Sequence, residues 1–356
     1  MAIAIVTGAS GLVGAETVRV LADKGLEVVG IDNNMRRELF GDAAGTGFMR
    51  TRLEQEVPGY IHHAIDIRDR EAITGLIRRY GTMVEAVVHA AAQPSLHWSA
   101  RDPFADFTIN ATGTLVLLDA VRRFCPEAAF AYLSSTKVYG DHPNRLPLAE
   151  EDSRFELPLD HPWGEYGIDE TMPVDHASHN LFGTSKLSAD LLVQEYGRHF
   201  GMPTGCFRAG AVTGGGHAGA EMHGFLAWMV RCAVEGRQFT LFGHSGKQVR
   251  DVLHANDLAN ALGAFIEAPE PGAVYNIGGG REVNISLLEA VRAVEDMTGE
   301  IVHTRISETP RPADQMWWIS DTRSFLEAYP HWVPAFDMES IIADVYDGVL
   351  ARQHGG

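Results

Sequence analysis

The chain has 356 residues, of which 45% are hydrophobic, so it is long enough for one large α/β domain and a smaller lobe with its own core. Its 29 basic and 47 acidic residues give a formal charge of -18, which would repel both nucleic acid and an anionic membrane surface. Cys125, Cys206 and Cys232 are odd in number and widely spaced, which indicates neither a disulfide framework nor a paired-cysteine metal site. No charged leader precedes the first strand and no apolar run approaches the ~20 residues that span a bilayer, so we expect a cytoplasmic protein.

Short β-branched runs alternate with helical patterns through the first half of the chain. Strands are predicted at residues 2–7, 27–31, 86–89 and 129–133. The helix between the first two strands has an apolar stripe of Val18, Leu21 and Ala22, and Gly25 ends it. This alternation is typical of βαβ units that feed a parallel sheet. The sequence therefore predicts an α/β fold with a Rossmann-type, doubly wound parallel sheet.

The second half of the chain is less regular. Residues 146–173 are rich in Pro, Asp and Glu and predict a long loop of the kind that often covers a site. A helical pattern follows from about residue 180 to residue 201. After Gly214 the alternation of strand and helix loses its strictness, so we place much of a smaller C-terminal lobe there.

Three glycines, Gly8, Gly11 and Gly14, follow the first strand directly and open the first helix. Glycines at this spacing allow a tight turn and a close approach of the backbone, while the helix N-terminus favours a pyrophosphate. The second strand leads into Asp32, whose carboxylate can accept hydrogen bonds from ribose hydroxyls and would repel the 2′-phosphate of NADP. The pattern predicts a dinucleotide site that binds NAD.

Two details of this site leave alternatives open. Arg36 and Arg37 could favour the phosphate of NADP, or they could belong to an exposed basic loop, which we prefer. Asp66, after the third strand, is placed to meet the adenine edge, or it lies in a surface turn. The residues of these segments that we expect at the dinucleotide are Gly8, Ser10, Gly11, Leu12, Val13, Gly14, Asp32, Asn33, Arg36, Asp66 and Ile67.

Four further segments follow in chain order: HAAAQ at 89–93, NATGT at 110–114, SSTKVYG at 134–140 and FGTSK at 182–186. In this order, and over essentially the whole chain, the sequence resembles the extended short-chain dehydrogenase/reductase family, the sugar-nucleotide epimerases and dehydratases. The resemblance implies further contacts to NAD by residues of these segments. They are Ala90, Ala91, Ala92, Gln93, Asn110, Ser134 and Lys186.

The resemblance also implies a catalytic set of Ser135, Thr136, Lys186 and the residue at position 182. In the family's Tyr-x-x-x-Lys motif, a phenol and an ammonium four residues apart share one helix face. The ammonium lowers the pKa of the phenol, which then removes a substrate hydroxyl proton as hydride leaves for the nicotinamide. A hydroxyl carried over to Ser135, with Thr136 beside it, would stabilise the developing oxyanion.

This sequence departs from the motif because Phe182 has no phenol. A natural member without the tyrosine could use another base, for which Tyr166, His176 and His179 are candidates. The protein could instead bind its ligands without turnover. The third interpretation is an engineered Tyr-to-Phe replacement that traps a substrate, and the fit of the flanking residues favours it.

The substrate expected from the resemblance is a nucleotide-diphosphate sugar. Arg250 and Arg311 are arginines that can clamp a diphosphate, with a surface salt bridge as the competing interpretation of each. Segments around 32–34, 163–166, 223–228 and 246–251 most resemble family members that epimerise a CDP-sugar at C2 by transient oxidation. The expected substrate contacts are Ser95, His97, Tyr166, Arg208, Lys247, Gln248, Arg250, Arg311 and Gln315.

Other functions are weighed against this one. A 4,6-dehydratase is disfavoured, because such enzymes carry an Asp-Glu pair where this chain has Thr136 and Lys137. A UDP-sugar 4-epimerase or decarboxylase would share the same core oxidation, and a silent protein that binds NAD or a sugar nucleotide is the alternative from another class. No metal site is predicted, because His217 and His223 lack a convincing third ligand.

The predicted domain boundaries follow from these assignments. Residues 1–184, with returning segments at about 203–214 and 248–262, form the NAD-binding domain. Residues of about 215–247 and 263–356 form the substrate lobe. Relatives suggest a homodimer packed through the helices that carry Asn110 and Lys186.

Overall fold

The computed structural model describes residues 2–221, 223–311 and 314–354. Its internal contacts divide the chain into two compact units. Unit 1 comprises Met1–Val138, Leu181–Arg208 and Leu258–Tyr275, and unit 2 comprises Tyr139–Asn180, Ala209–Asp257 and Asn276–Gly356. This division differs from the predicted boundaries, since residues 139–180 group with unit 2 and residues 258–275 return to unit 1.

The strands, in chain order, are β1 (Ile3–Thr7), β2 (Glu27–Ile31), β3 (Ile61–His63), β4 (Val84–His89), β5 (Ala129–Ser135), β6 (Ala149–Glu150), β7 (Phe155–Glu156), β8 (Thr204–Ala209), β9 (Ala211–Thr213), β10 (Phe239–Phe242), β11 (Val249–His254), β12 (Ala273–Ile277), β13 (Asn284–Ser286), β14 (Thr304–Ser307) and β15 (Trp317–Trp318). The four strands predicted in the first half are confirmed as β1, β2, β4 and β5. The loop predicted at 146–173 contains only the short pair β6 and β7.

The α-helices are α1 (Leu12–Asp23), α2 (Met35–Phe40), α3 (Gly47–Glu56), α4 (Arg70–Tyr80), α5 (Leu96–Arg101), α6 (Pro103–Phe107), α7 (Gly113–Phe124), α8 (Leu181–Phe200), α9 (Phe225–Val234), α10 (Ala255–Glu267), α11 (Leu287–Thr298), α12 (Arg323–Ala328) and α13 (Met338–His354). A π-helix, Thr108–Thr112, joins α6 to α7. The helix predicted from about 180 to 201 is confirmed as α8.

The central sheet has seven strands in the order β12-β8-β5-β4-β1-β2-β3, and the Rossmann-type parallel architecture is confirmed. The register pairs Thr7 with both Ile31 and His89, and His89 with Tyr132. The carboxyl ends of β2, β1, β4 and β5 therefore lie level at one edge, where open α/β sheets bind ligands. The glycine turn, Asp32, the 89–93 loop and the hydroxyls after Leu133 all follow these strand ends.

Each unit has its own buried apolar cluster. In unit 1 the sheet residues Ile5, Val87 and Phe130 pack with residues of the flanking helices. In unit 2, α9 and α13 contribute Met229 and Ile342 to a separate cluster. Two cores in one chain agree with the sequence-based expectation that 356 residues can fill both.

The continuous helical run Pro103–Phe124 is long and apolar enough to cross a membrane by length and composition. That finding corrects the expectation that no apolar stretch approaches this length. Some 56% of its apolar window is buried within the structure, and Leu117, Leu118 and Val121 are core residues of unit 1. The run is accounted for as a helix packed on the central sheet.

Candidate active site

The glycine turn between β1 and α1, residues 8–14, packs so tightly against neighbouring backbone that side chains at its glycines would not fit. Gly8 has φ of +66°, and a Cβ there would lie 2.8 Å from the backbone nitrogen of Ala91. A Cβ on Gly14 would lie 2.0 Å from the carbonyl oxygen of Gly8. Gly11 is the N-cap of α1 and donates its N–H to Gly8 at 2.9 Å. The glycines are thus required by the turn itself, and the turn presents the N-terminus of α1 at the sheet edge.

The first turn of α1 fits an anionic group. It carries no acidic side chain among the described residues of that turn, and no side chain caps it. The hydroxyl of Ser10 is buried and has no hydrogen-bond partner in the described part of the chain. A bound pyrophosphate would supply both the negative charge and the acceptor that this cradle lacks.

Asp32 ties the end of β2 to the glycine turn. Its carboxylate accepts the N–H of Ser10 at 3.1 Å and the N–H of Asn34 at 2.7 Å. Asn33, exposed beside it, donates to the carboxylate of Asp66 at 3.4 Å. The structure therefore brings Asp32, Asn33 and Asp66 together along one edge of the cradle. Arg68 donates a hydrogen bond to Asp66 at 2.6 Å, and this bond lowers the pKa of the Asp66 carboxyl below its ordinary value.

The two arginines that left the NADP question open differ in their surroundings. Arg37 is exposed and bonds Asp42. Arg36 is half-buried, and burial lowers its pKa. Arg37 thus belongs to a surface ion pair, and it lies in helix α2 rather than in the basic loop that the sequence predicts.

The 89–93 loop is held by Asn110, which lies in the π-helix. Asn110 accepts the N–H of Gln93 at 2.8 Å, and its amide nitrogen donates to Ser185 of α8 at 3.0 Å. Gln93 also donates to Asp106 at 2.7 Å. The extra residue per turn of a π-helix turns Asn110 to link the loop with α8, a device that period analysis of the sequence missed.

A buried chain of hydrogen bonds runs behind this loop and was also missed. The backbone of Ala91 donates to Thr7, whose hydroxyl lies 2.7 Å from Nδ1 of His89. Nε2 of His89 lies 2.9 Å from the hydroxyl of Thr114, which donates to the carbonyl oxygen of Asn110 at 2.6 Å. His89 therefore acts as acceptor on one side and donor on the other, as a neutral imidazole does. Burial lowers its pKa to about 3.

Ser134 and Arg208, predicted to contact cofactor and substrate, meet a buried carboxylate instead. Asp190 of α8 accepts the hydroxyl of Ser134 at 2.5 Å and two bonds from Arg208, at 2.8 and 3.1 Å. Asp190 is 0% exposed and Arg208 only 5%, so this is an internal ion pair. The assignment of Arg208 to the substrate site is corrected, because its guanidinium is committed to anchoring β8 and β5 to α8.

Lys186 lies at the end of β5, next to this ion pair. Its Nζ donates to the carbonyl oxygen of Leu133 at 2.5 Å and lies 4.3 Å from the centroid of the Tyr132 ring. Lys186 is 3% exposed, and burial lowers its pKa to about 7. Such a lysine exchanges a proton near neutral pH, as lysines in active sites do.

Among the other members of the expected catalytic set, Ser135 ends β5, Thr136 follows it and Phe182 lies in α8. Ser135 is half-buried and its hydroxyl accepts the N–H of Lys137 at 3.2 Å, while Thr136 is buried. Phe182 is 8% exposed and lies one turn before Lys186 on the same face of α8. Its ring offers no proton donor or acceptor.

A separate pocket in unit 2 collects several of the predicted substrate residues. Its described lining consists of Phe225, Phe242, Gln248, Arg250, Leu287, Arg311 and Asp314. Arg250 pairs with Asp314 at 2.5 Å. The guanidinium of Arg311 lies 4.8 Å from the centroid of the Phe242 ring, and burial lowers its pKa. Two cations beside two aromatic rings form a surface suited to a phosphorylated, ring-containing ligand.

The remaining predicted substrate residues lie apart from this lining. Ser95 is 1% exposed and accepts the N–H of Trp98 as the N-cap of α5, while His97 is exposed on that helix. Lys247 pairs with Glu150, and Gln315 is buried. Ser95 and Gln315 are thus buried in the protein interior. The sequence pattern, which indicates exposed loops, does not reveal this burial.

The candidate replacement bases all belong to unit 2. Tyr166 is 43% exposed and stacks under the guanidinium of Arg323 at 3.8 Å. His176 is exposed, with φ of 54°, and lies 3.6 Å from Asp175. His179 is half-buried and bonds the carbonyl oxygen of Ala177. Within the described ranges, no group of three or more His, Cys, Asp or Glu side chains is arranged to hold a metal ion.

The fold and the glycine cradle define a dinucleotide-binding enzyme of the Rossmann type. The chain belongs to the NAD dependent epimerase/dehydratase family, whose sequence profile matches residues 4–278, and its cofactor is NAD.

Individual relatives agree with this assignment. The chain is 30% identical to CDP-paratose 2-epimerase from Salmonella typhi over 96% of this chain and 98% of that protein. It is 28% identical to dTDP-glucose 4,6-dehydratase 1 from Escherichia coli (strain K12), over 84% and 77% of the two chains. A UDP-glucose 4-epimerase from Bifidobacterium longum, solved with NAD+ and UDP, shares the fold with a TM-score of 0.79 at 21% identity, covering 99% of this chain and 100% of that one.

Proposed function

We propose that the chain epimerises a nucleotide-diphosphate sugar, a CDP-sugar at C2, by transient oxidation to a keto-sugar. The observation that carries the proposal is the placement of Ser135 and Lys186 at the same sheet edge as the glycine cradle. The identity of 30% with a CDP-paratose 2-epimerase, over nearly all of both chains, supports the choice of sugar nucleotide.

The cradle of unit 1 would hold the cofactor. Gly8, Gly11 and Ser10 would meet its pyrophosphate, and Asp32 its adenosine ribose, with Asp66 at the adenine edge. When bound, NAD supplies the oxidising power by accepting a hydride and later returning it. Because the cofactor is regenerated within each turnover, we expect it to remain bound to the protein.

The residues at the end of β5 would handle the substrate oxygen. We expect the hydroxyl of Ser135 to donate to the substrate oxygen, which bears negative charge once its proton is removed and again when hydride returns to the keto-sugar. Lys186 supplies a positive charge that can leave or return near neutral pH. These roles need no acid and base for expelling water, which agrees with Thr136 and Lys137 in place of two carboxylates.

The unit 2 pocket would bind the diphosphate. Arg250 would exchange the carboxylate of Asp314 for a phosphate, since both anions accept its paired donors. Arg311 already lies against Phe242 and has a buried Nε without a partner among the described residues. A phosphate or ribose oxygen at this point would satisfy it.

The substrate class is tested with a panel of CDP-, UDP- and GDP-sugars in a thermal-shift assay. We expect the CDP-sugar to raise the melting temperature most, and stabilisation by UDP but not by CDP would contradict the choice of nucleotide. Arg250→Ala should remove the shift, while Arg52→Ala, which changes an exposed arginine paired with Glu56, should leave it intact.

The chemical step is tested by turnover in deuterated water. Return of the same hydride leaves C2 free of solvent deuterium, whereas deuterium at C2 would indicate enolisation. Inversion at C4 of a UDP-sugar, without solvent deuterium at that carbon, would favour the alternative 4-epimerase. A protein that binds these ligands yet never reduces its NAD, even after Phe182→Tyr, would be a silent binder.

Phe182 divides the proposal into two forms. If phenylalanine is an engineered replacement of tyrosine, the unaltered chain traps its substrate and Phe182→Tyr restores turnover. If the chain uses another base, the unaltered chain turns over by itself. Assay of both proteins with the same sugar nucleotide separates these forms.

We also propose a cytoplasmic homodimer, packed through the helices that carry Asn110 and Lys186. Large apolar side chains on these helical segments support it, since Phe104 is 85% exposed, Leu115 40% and Leu191 45%. Light scattering should report the mass of two chains, and Phe104→Asp should lower it. A monomeric mass at all concentrations would contradict the dimer.

A further inference from the structure

The inference concerns the proton acceptor of the reaction and rests on the proposed function. Oxidation of a sugar hydroxyl releases a hydride and a proton, and the proton needs a base within the site. Phe182 cannot serve. The structure offers another group one turn further along α8, in a setting that an ordinary lysine does not have.

Lys186 is enclosed, and among the residues that the structure describes its immediate contacts include no carboxylate. Its Nζ has one acceptor, the carbonyl oxygen of Leu133, and the face of the Tyr132 ring. An ammonium has three donors, so a carbonyl and a ring face solvate it far less than water does. The nearest carboxylates are committed elsewhere: Asp190 to Arg208, and Asp106 to Gln93 and Asn110.

Titratable groups on five elements lie close to Lys186. They are His89 on β4, Tyr132 on β5, Asp106 on α6, Asp190 on α8 and Cys206 on β8. Asp190, Cys206 and Asp106 act to raise the pKa of Lys186, yet burial outweighs them and lowers it to about 7. A substantial fraction of neutral amine, with its lone pair, is therefore present at neutral pH.

His89 and Tyr132, two other titratable groups of unit 1 near this position, are poor bases. The pKa of His89 is about 3, and both of its nitrogens are engaged by Thr7 and Thr114. Burial raises the pKa of Tyr132 well above its ordinary value, so it does not ionise near neutral pH. Serine and threonine hydroxyls are far weaker acids than a phenol, which suits Ser135 for donating a hydrogen bond rather than for holding a proton.

We propose that the neutral ε-amine of Lys186 accepts the substrate hydroxyl proton, in place of the phenol that position 182 lacks. The O–H bond of the substrate breaks and its proton joins the lone pair of Nζ, while the C–H bond breaks and its electron pair leaves with the hydride for NAD. The substrate carbon and oxygen that lose these two hydrogens become joined by a double bond. On the return step the ammonium gives the proton back to the alkoxide, so protons and electrons balance over one turnover.

The first test measures the ionisation of Lys186 directly and does not depend on activity. The chain contains only four lysines, Lys24, Lys137, Lys186 and Lys247, so protein labelled with [ε-13C]lysine gives four NMR signals. Spectra of Lys186→Arg identify the signal. We expect a titration midpoint near 7, against about 10.4 for a lysine in water. A midpoint above about 9 would overturn the proposal.

The second test uses turnover with a CDP-sugar. The unaltered chain should show a rise of kcat with pH around 7. Lys186→Arg keeps a cation that does not deprotonate, so kcat should fall at least about 100-fold. Lys24→Arg, a surface lysine paired with Glu267, is the matched control and should keep its rate.

The outcomes separate this inference from the function on which it rests. Retained turnover in Lys186→Arg overturns the role of Lys186 and leaves the epimerase standing. Turnover in Phe182→Tyr but not in the unaltered chain also overturns the role of Lys186 and leaves the epimerase standing. Failure of both proteins with every sugar nucleotide overturns the proposed function and the inference together.

Discussion

The glycine turn and the α8 face, which carries residues 182 and 186, both belong to unit 1. The first is formed by backbone groups and the second by side chains. The turn from Gly8 to Gly14 offers backbone N–H groups and a helix N-terminus, and each added Cβ would meet backbone atoms. The α8 face presents the side chains of Phe182 and Lys186, and it is tied to β5 by the bond of Lys186 to Leu133 and to β8 by the bond of Asp190 to Arg208. A site made of backbone cannot change without losing its shape, whereas a site made of side chains can lose one functional group and keep its frame.

Phe182 illustrates this difference. Its ring is 8% exposed and stays packed in the first turn of α8, where a tyrosine would differ by a single hydroxyl. The frame around it is held by Asn110, Ser185 and Asp190, none of which depends on that hydroxyl. The fold is therefore compatible with either phenylalanine or tyrosine at position 182, and the two would differ only in the chemistry of the site.

The largest effect should come from breaking the ion pair that anchors the α8 face. Asp190→Asn leaves the guanidinium of Arg208 buried without its counter-charge, and we expect a loss of about 3–5 kcal/mol in the free energy of unfolding. Urea titration followed by circular dichroism measures it. The exposed pair of Glu54 and Arg50 is the control, and Glu54→Gln should cost at most about 0.5 kcal/mol. Equal losses in the two variants would show that burial does not set the strength of this anchor.

The next effect tests whether the cradle depends on its backbone. Gly14→Ala would place a Cβ 2.0 Å from the carbonyl oxygen of Gly8, so the turn must open. We expect NAD binding to weaken at least about 100-fold, the equivalent of about 3 kcal/mol. Calorimetric titration of cofactor-stripped protein measures it. Gly75→Ala is the control, because a Cβ on Gly75 meets nothing within 4 Å and favours its helix. Unchanged affinity in Gly14→Ala would break the contrast between the two regions.

His89 should make the stability of unit 1 sensitive to acid. The pKa of His89 is about 3 in the folded protein, against about 6.5 for an imidazole in water, so only the unfolded chain takes up a proton between these values. Stability contributed by this group is complete above pH 6.5 and should fall by about 1.4 kcal/mol for each pH unit below it. At pH 4.5 the loss reaches about 2.7 kcal/mol.

Unfolding curves at several pH values check this sensitivity. His89→Asn should be less stable at pH 8, because the bonds to Thr7 and Thr114 are broken, but its stability should decline less steeply in acid. His97→Asn, on the exposed side of α5, should follow the unaltered protein. An unaltered slope in His89→Asn would mean that other groups govern the acid response.

The same contrast explains how much could be predicted from sequence. The strands β1, β2, β4 and β5, helix α8 and the order of Gly8, Gly11 and Gly14 follow from local periods and turn chemistry. The role of Arg208 does not, because its partner Asp190 lies on a different element and is reached only across the sheet. The π-helix at Asn110 is equally hidden, since one extra residue in a turn leaves the apolar pattern nearly unchanged.

The smallest effect should come from Asp66, at the rim of the cradle. Its carboxylate is partly exposed and already held by Arg68, at 2.6 Å, so a contact to the adenine edge competes with water and with that ion pair. We expect Asp66→Ala to weaken NAD binding by about 3- to 10-fold, and Asp66→Asn, which keeps an acceptor, by less. Calorimetric titration at low and high salt checks both variants. Because the side chain at this rim can be exchanged without moving the backbone, a loss as large as that of Gly14→Ala would mean that the cradle too depends on side chains, and the distinction between the two regions would fail.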